Sequence, residues 1–535
     1  MAGVFPWLVA APSLLLLIAG LIPGDWANRH LAVMRQVATS VTAVAASLAA
    51  LVAIGLAIGT AIDVPLVTVP GLPAFNIGVY FDSLSAIMLI LISFIGAIIS
   101  RYSIRYLDGD HQQGRFLCRI LFTLGSVLLL VVSRNLLQFT VAWILSSYSL
   151  HQLLTHHRQR PWAIWAARKK FLISRLGDIF LLAALAATYA TFGSFDYTEV
   201  FAEAVALQEQ SATKSVLVSA IGALFVLAAM TKSAQFPFHS WLPDTMEAPT
   251  PVSALMHAGI INAGGFLVIR LSPLIVLSPV ALSLLAIIGA ITALLGGIVM
   301  LSQTSVKRSL AFSTIAQMGF MMLQCGLGGF SAALLHIVAH SLYKAHAFLS
   351  SGSVLEQAAR MQLTQARART GRAVVATDIV AVGVAAGVLG LTLAGFGISL
   401  TEKPGGVVLG FVLLLALTNL LATFFATRLW KLAGLGLALA VTVAVAYFTG
   451  FEIIDHLLAA TMSRRPIDRS PLDLTVRIVA VTSFVVIFVV QNFIQSFSHL
   501  HWVQVFYVHA NNGFYLDIPF RRLTGWVYGQ PAAVS

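Results

Sequence analysis

Of 535 residues, 59% are apolar even without glycine and only 10% are charged, against about 45–50% apolar with glycine included and roughly 25% charged in soluble domains. That balance excludes a soluble body and assigns the chain to the lipid bilayer. The +12 formal charge lies in short loops between apolar runs, not in a basic stripe, so nucleic acid is excluded as a partner and the excess reads as topology. Cys118 and Cys325 sit in separate apolar stretches, which leaves neither a disulfide frame nor a cysteine-based metal site.

The first apolar run, VFPWLVAAPSLLLLIAGLIPG, lacks a basic leader and an A-x-A end, so it is expected to remain as a helix. Crossing the hydrocarbon takes roughly 20 apolar residues, and about 14–16 segments qualify. They lie near 5–23, 32–59, 78–100, 115–133, 135–154, 170–190, 214–233, 249–270, 274–301, 308–327, 330–353, 373–398, 406–426, 430–450 and 474–496. Basic residues gather at 101–119, at 156–175 and at 360–372 (Arg360, Arg367, Arg369, Arg372), while 191–213 carries Asp196, Glu199, Glu203 and Glu209. With basic loops facing the cytoplasm these alternate, and the N-terminus faces outside. The loop 451–473, with Arg464, Arg465 and Arg469, breaks the alternation. The expected fold is all-α, a polytopic membrane protein with no connection long enough for a soluble domain.

Residues 231–259, TKSAQFPFHSWLPDTMEAPTPVSALMHAG, interrupt this pattern. Pro237, Pro243, Pro249 and Pro251 each remove a backbone donor, so the segment holding Lys232 is expected to break around SAQFPF. Such breaks persist at membrane depth only when buried in protein or lining a wet cavity. A lysine there has an adjustable pKa and can load and release a proton; the bland alternative is a side chain that snorkels to the interface. Further on, His336, His340 and Lys344 recur every four residues. They share a helix face with roughly 6 Å of rise between neighbours, a spacing suited to a proton wire with bridging water. Intramembrane ionisable groups are functional candidates by default. A metal site on His336 and His340, or on the loop cluster His151, His156 and His157, stays open, although the zincin glutamate is missing. Lipid headgroup binding is the competing account of that basic loop.

The 231–259 stretch, with VKRSLAFSTIAQMGFMML (306–323) and HIVAHSLYKAHAF (336–348), resembles the proton-translocating, antiporter-like subunits shared by respiratory complex I and multisubunit cation/proton antiporters. VYFDSLSAIMLILISFIGAIISRYSIRYLDGD (79–110), SRLGDIF (174–180) and NNGFYLDIPF (511–520) look like the same family. The resemblance implies two inverted five-helix repeats, each with a broken helix: N-terminal helices over 1–110, a first repeat over 111–272 with Lys232, a second over 273–427 with His336, His340 and Lys344, and C-terminal helices over 428–535. It also implies that Lys232 is the broken-helix lysine, His257 the histidine of the next helix, and Lys307, His336, His340 and Lys344 the central chain. Arg175 and Asp178, three residues apart, would pair.

Two departures stand out. Where the family carries a glutamate after NLLxxFxxW, this chain has Ile144, and Leu400 stands where the second-half lysine belongs, with Glu402 and Lys403 displaced. Lys232 is therefore expected to find Asp244, Glu247 or Asp178 as its carboxylate. Within the family, MEAPTPVSALMHAGIINAGGFLVIR is most similar to membrane subunits of bacterial inorganic-carbon accumulation complexes of the DAB type. That similarity implies a multi-pass subunit of the bacterial inner membrane, conducting H⁺ or Na⁺. Its implied partner is a zinc-binding β-carbonic-anhydrase-like subunit that hydrates CO2 to bicarbonate. Zinc is expected in that partner, with no cofactor in this chain. The alternatives are a generic antiporter or respiratory-pump subunit and a stand-alone membrane metalloenzyme. The partner is expected to dock on 235–250 through Phe236, Phe238 and Trp241, with a smaller contribution from Arg367, Arg369 and Arg372; the alternative is that these aromatics simply pack against neighbouring helices.

Overall fold

The computed structural model describes residues 3–68, 70, 76–209, 216–352, 371–403, 405–427, 429–459, 461, 472–493, 497 and 499–529. Helices α1 (Phe5–Gly20), α2 (Gly24–Arg29) and α3 (Leu31–Ile58) lead to an antiparallel hairpin, β1 (Ile62–Val67) and β2 (Ile77–Phe81), with Ile62 opposite Phe81. Then come α4 (Ser83–Tyr106), α5 (Gln113–Val132), α6 (Leu136–Leu154), α7 (Pro161–Phe192), α8 (Tyr197–Glu209) and α9 (Val216–Lys232). After the break lie α10 (Trp241–Asp244), α11 (Thr250–Ala258), α12 (Ala263–Arg270) and α13 (Ser272–Ile275). The second half holds α14 (Pro279–Ser302), α15 (Val306–Gly326), α16 (Phe330–Leu349), α17 (Gly371–Phe396), α18 (Gly406–Phe425), α19 (Trp430–Leu458) and α20 (Asp473–Phe493). Two short helices, α21 (His501–Asn511) and α22 (Ile518–Tyr528), close the described chain.

Among the described residues, ten helical spans are long and apolar enough to cross a membrane, counting α11–α12 as one, and α1 and α9 are shorter apolar helices. α6, α15 and α16 have 19, 21 and 20 residues but carry the polar side chains of the bundle interior, which lowers their hydropathy. Each apolar segment read from the sequence coincides with one of these helices. Short connections make successive spans antiparallel, so the connections 107–112, 155–160 and 303–305, flanked or filled by Arg105 and Arg115, Arg158 and Arg160, and Lys307 and Arg308, share one end, and the hairpin, the acidic loop before α8 and 327–329 share the other. The positive-inside rule would take the basic end as cytoplasmic and the other as outer. Arg360, Arg367, Arg369, Arg464, Arg465 and Arg469 lie outside the described residues, and Arg372 falls in the first turn of α17.

With no hydrophobic driving force between helices in lipid, packing rests on small residues and buried polar contacts. α14 and α15 show the first: a Cβ on Gly319 would lie 2.5 Å from the Ala293 amide nitrogen. The second is a clamp at the outer end. Arg270, the last residue of α12, donates from both terminal nitrogens to Asp82, the N-cap of α4, at 2.6 and 2.9 Å. It also donates to Ser85 Oγ at 2.6 Å, and its guanidinium is ringed by Tyr80, Phe266 and Tyr197. The Arg270 and Asp82 side chains are 1% and 3% exposed, so the pair ties the hairpin and α4 to the end of α12.

Candidate functional site

α9 ends at Lys232, and the chain turns back through Ala234 at φ 48°. Ending a helix in the bundle interior orphans its last carbonyls, and side chains from this segment take them. The Trp241 indole N–H donates to the Thr231 carbonyl (3.3 Å), and Gln235 Nε2 to the Ser233 carbonyl (2.9 Å). Ser233 Oγ donates to the Ile261 carbonyl (2.6 Å), and the Phe236 amide to Thr292 Oγ1 (3.0 Å). Residues 231–235 are all buried, as a break at membrane depth requires.

This corrects the docking expectation. Trp241 is 3% exposed and serves the break from within, while Phe238 packs edge-on against Phe520 of α22, 6.1 Å between centroids. The C-terminal segment lies over this stretch and its neighbours: Phe236 and His239 line a small pocket with Gly513 and Leu516, Gln303 donates to the Asn511 carbonyl (3.1 Å), and Arg168 lies over the Tyr528 ring. An aromatic cluster beside a proline break reads as an interface only until the end of the same chain is placed on it.

Lys232 is buried, with its ammonium against α6. It donates to Ser146 Oγ (2.9 Å) and Ser147 Oγ (2.8 Å), approaches the Trp143 carbonyl (3.4 Å) and sits 4.5 Å from the Trp143 ring centroid. Among the described residues no carboxylate pairs with it. Asp244 binds buried Lys169 of α7 (2.9 Å), Glu247 faces Arg160 (4.0 Å), and Asp178 pairs with Arg175 (2.7 Å). Asp244 and Glu247 therefore do not act as its counter-ion, because the proline-rich turn aims both at the basic start of α7. Asp178, on α7 next to Gly177, is held by Arg175 rather than by Lys232. Gly177 lets α7 close on the end of α9, since a Cβ there would collide with Thr231 Oγ1 beside Lys232. Ile144 packs into the apolar core one turn before Ser147. The sequence reading passed over Ser146 and Ser147; the signal was the run SSYS inside an apolar helix.

From this point a polar line runs through the bundle. The α11–α12 span is interrupted at Gly259–Asn262, so Asn262 turns inward and donates to Ser341 Oγ of α16 (2.8 Å). His257 Nδ1 meets Thr314 Oγ1 at 3.0 Å and its ring stacks on Phe348, centroids 4.3 Å apart. His336 and His340 lie 6.0 Å apart between centroids, and Lys344 donates to the Leu310 carbonyl (3.1 Å). Buried His257 Nε2, both His340 ring nitrogens and Asn262 Oδ1 have no protein hydrogen-bond partner. Lys307 stands apart from this line, partly exposed in the first turn of α15, because that helix starts at the basic end of the bundle.

In the second half, Leu400 fills the notch above Gly406 and Gly410, and Lys403 faces Asp455 (3.1 Å) and Glu452 (3.5 Å). Ser331 donates to Asp455 (2.7 Å). Leu400, Lys403, Ser331 and Asp455 line a cavity of about 330 Å³ at the outer end, between α16, α18 and α19.

A family described as NADH:quinone oxidoreductase/Mrp antiporter matches residues 133–429, and one described as NADH-ubiquinone oxidoreductase (complex I), chain 5 N-terminus, matches 69–117. The chain is 38% identical over 526 residues to the probable inorganic carbon transporter subunit DabB2 of Halothiobacillus neapolitanus, covering 96% of this chain and 93% of that one. It is 44% identical over 286 residues to the probable inorganic carbon transporter subunit DabB of Hydrogenovibrio crunogenus, an alignment spanning 53% of this chain and 54% of the relative. The fold is also that of a chain in the Mrp complex from Dietzia sp. (TM-score 0.63, 24% identity, 93% of this chain and 57% of that one). A chain of the archaeal membrane-bound sulfane sulfur reductase shares it as well (TM-score 0.56, 17% identity, 96% and 99%). The broken helix, its buried lysine and these matches lead to one conclusion: the chain belongs to the antiporter-like, proton-translocating membrane-subunit family of NADH:quinone oxidoreductases and Mrp antiporters.

Proposed function

We propose that this subunit conducts a cation, H⁺ or Na⁺, and couples its gradient to inorganic-carbon uptake in a bacterial inner membrane. The observation that carries the conduction reading is the setting of Lys232. A carboxylate serves only a charged lysine, whereas a serine hydroxyl accepts from an ammonium and donates to a neutral amine. Ser146 and Ser147 thus suit both states of Lys232, as a group that loads and releases a proton requires. From there Asn262, His257 and His340 offer polar atoms that bridging water joins at little cost, and Lys344 ends the line toward the cytoplasm on the Leu310 carbonyl, a residue one turn of α15 beyond Lys307. Lys403, three residues beyond Leu400, takes the place of the second-half lysine beside the outer cavity.

The carbon reading rests on the similarity to chains named inorganic carbon transporter subunits. In that reading a zinc-binding β-carbonic-anhydrase-like partner hydrates CO2, and this chain supplies the energy. The test is affinity purification of the tagged subunit, identification of what co-purifies, and bicarbonate accumulation by cells carrying the complex. A zinc-containing partner, with accumulation abolished by Lys232→Ala at normal assembly, is the expected result. Recovery with sister antiporter subunits or flavin and iron–sulfur partners instead would replace the carbon reading with the antiporter or respiratory one. Wild-type accumulation by Lys232→Ala would remove Lys232 from the mechanism.

A further inference from the structure

The cytoplasmic end carries a cluster that conduction does not use. His156 and His157, in the connection between α6 and α7, meet Asp110 from the connection between α4 and α5, and one ligand atom from each lies within 4.8 Å of the others. His156 is 5% exposed, its Nε2 is 3.1 Å from Asp110 Oδ2, and its Nδ1 is buried with no hydrogen-bond partner. Phe116 packs edge-on against its ring (4.9 Å between centroids), and the His157 ring stands edge-on to it at the same separation. His151, which the sequence places with these histidines, belongs elsewhere: its Nδ1 faces the Ala167 carbonyl (3.3 Å) and its ring packs on Phe171.

We infer that Asp110, His156 and His157 form a binding site for a zinc-class divalent transition metal that clips the α4–α5 and α6–α7 connections together. Two imidazoles and one carboxylate are ligands for such ions, whereas calcium and magnesium select oxygen. Tetrahedral zinc with bonds of about 2.0–2.2 Å holds its ligand atoms roughly 3.3 Å apart, so the cluster closes by about 1.5 Å at most, within reach of a His157 rotation. Arg119 is close but is directed at the Gln152 carbonyl (2.9 Å). With three protein ligands and a partly exposed rim, the fourth position belongs to water. The clip acts on α6, which carries Ser146 and Ser147, and on the start of α7, which carries Lys169.

The test uses the full chain in detergent, stripped with chelator and titrated with Co²⁺, reading its visible absorption and then displacement by Zn²⁺. One Co²⁺ per chain with a tetrahedral-type spectrum is expected. His157→Gln, a change at a partly exposed position that spares the fold, and Asp110→Asn should each weaken binding by at least about 10–100-fold, the loss that outer-shell changes alone already cause. Asp110→Cys, which keeps a ligand, should retain it, and His151→Gln should bind as wild type does. The inference is overturned if no stoichiometric Co²⁺ binds, if His157→Gln binds as tightly as wild type, if His151→Gln abolishes binding, or if Asp110→Cys and Asp110→Asn are equally impaired.

Discussion

If Ser146 and Ser147 carry the charge of Lys232, removing both hydroxyls should cripple transport while leaving the bundle assembled. In Ser146→Ala/Ser147→Ala the ammonium loses its acceptors at 2.9 and 2.8 Å and keeps only the Trp143 carbonyl at 3.4 Å and the Trp143 ring face. A hydrogen bond to a charged group contributes about 1.5–3 kcal/mol, so the double change costs the charged state about 3–6 kcal/mol. At about 1.4 kcal/mol per factor of ten, a cycle passing through charged Lys232 slows by roughly a hundredfold or more. The hydroxyls are small, and both residues are already buried against neighbouring helices, so folding should change little. The assay is gradient-driven cation flux in proteoliposomes containing the purified complex, with assembly checked by size-exclusion chromatography. Ser146→Thr/Ser147→Thr, which keeps both hydroxyls, should retain most of the flux. Wild-type flux in the double alanine variant would show that the serines do not hold the working charge.

Breaking the outer clamp should be costly, because Asp82→Asn leaves Arg270 buried without its charge partner; a loss of about 3–5 kcal/mol is expected, read as earlier thermal unfolding in detergent. Replacing both members with apolar residues, Asp82→Leu with Arg270→Met, should recover part of it, and a single variant as stable as wild type would contradict the assignment. Gly177→Ala should push α7 from α9 where its Cβ meets Thr231 Oγ1, costing about 1–3 kcal/mol. Thr231→Ala in the same chain should relieve that loss, and additive effects of the two changes would rule out the contact.

The all-helical membrane fold was legible in the sequence because spanning the hydrocarbon imposes one length and one composition on every segment. The break after Lys232 was legible for a similar reason: prolines and an ionisable group leave no regular helix to continue. The stripe of His336, His340 and Lys344 followed from the helical repeat alone. The hairpin 62–81 was not singled out, since its short apolar strands resemble the ends of the neighbouring spans. What the sequence could not supply was partnership across the chain. Asp244 is twelve residues from Lys232 yet belongs to Lys169, while Ser146, 86 positions away, holds the lysine. Phe238 awaited Phe520, and His156 exchanged His151 for Asp110. The sequence by itself determined which segments enter the bilayer and which charges are stranded there, because those follow from local transfer cost. Only the tertiary structure decided which group answers each stranded charge, because that depends on which helix faces meet and how closely glycines such as Gly177 let them approach.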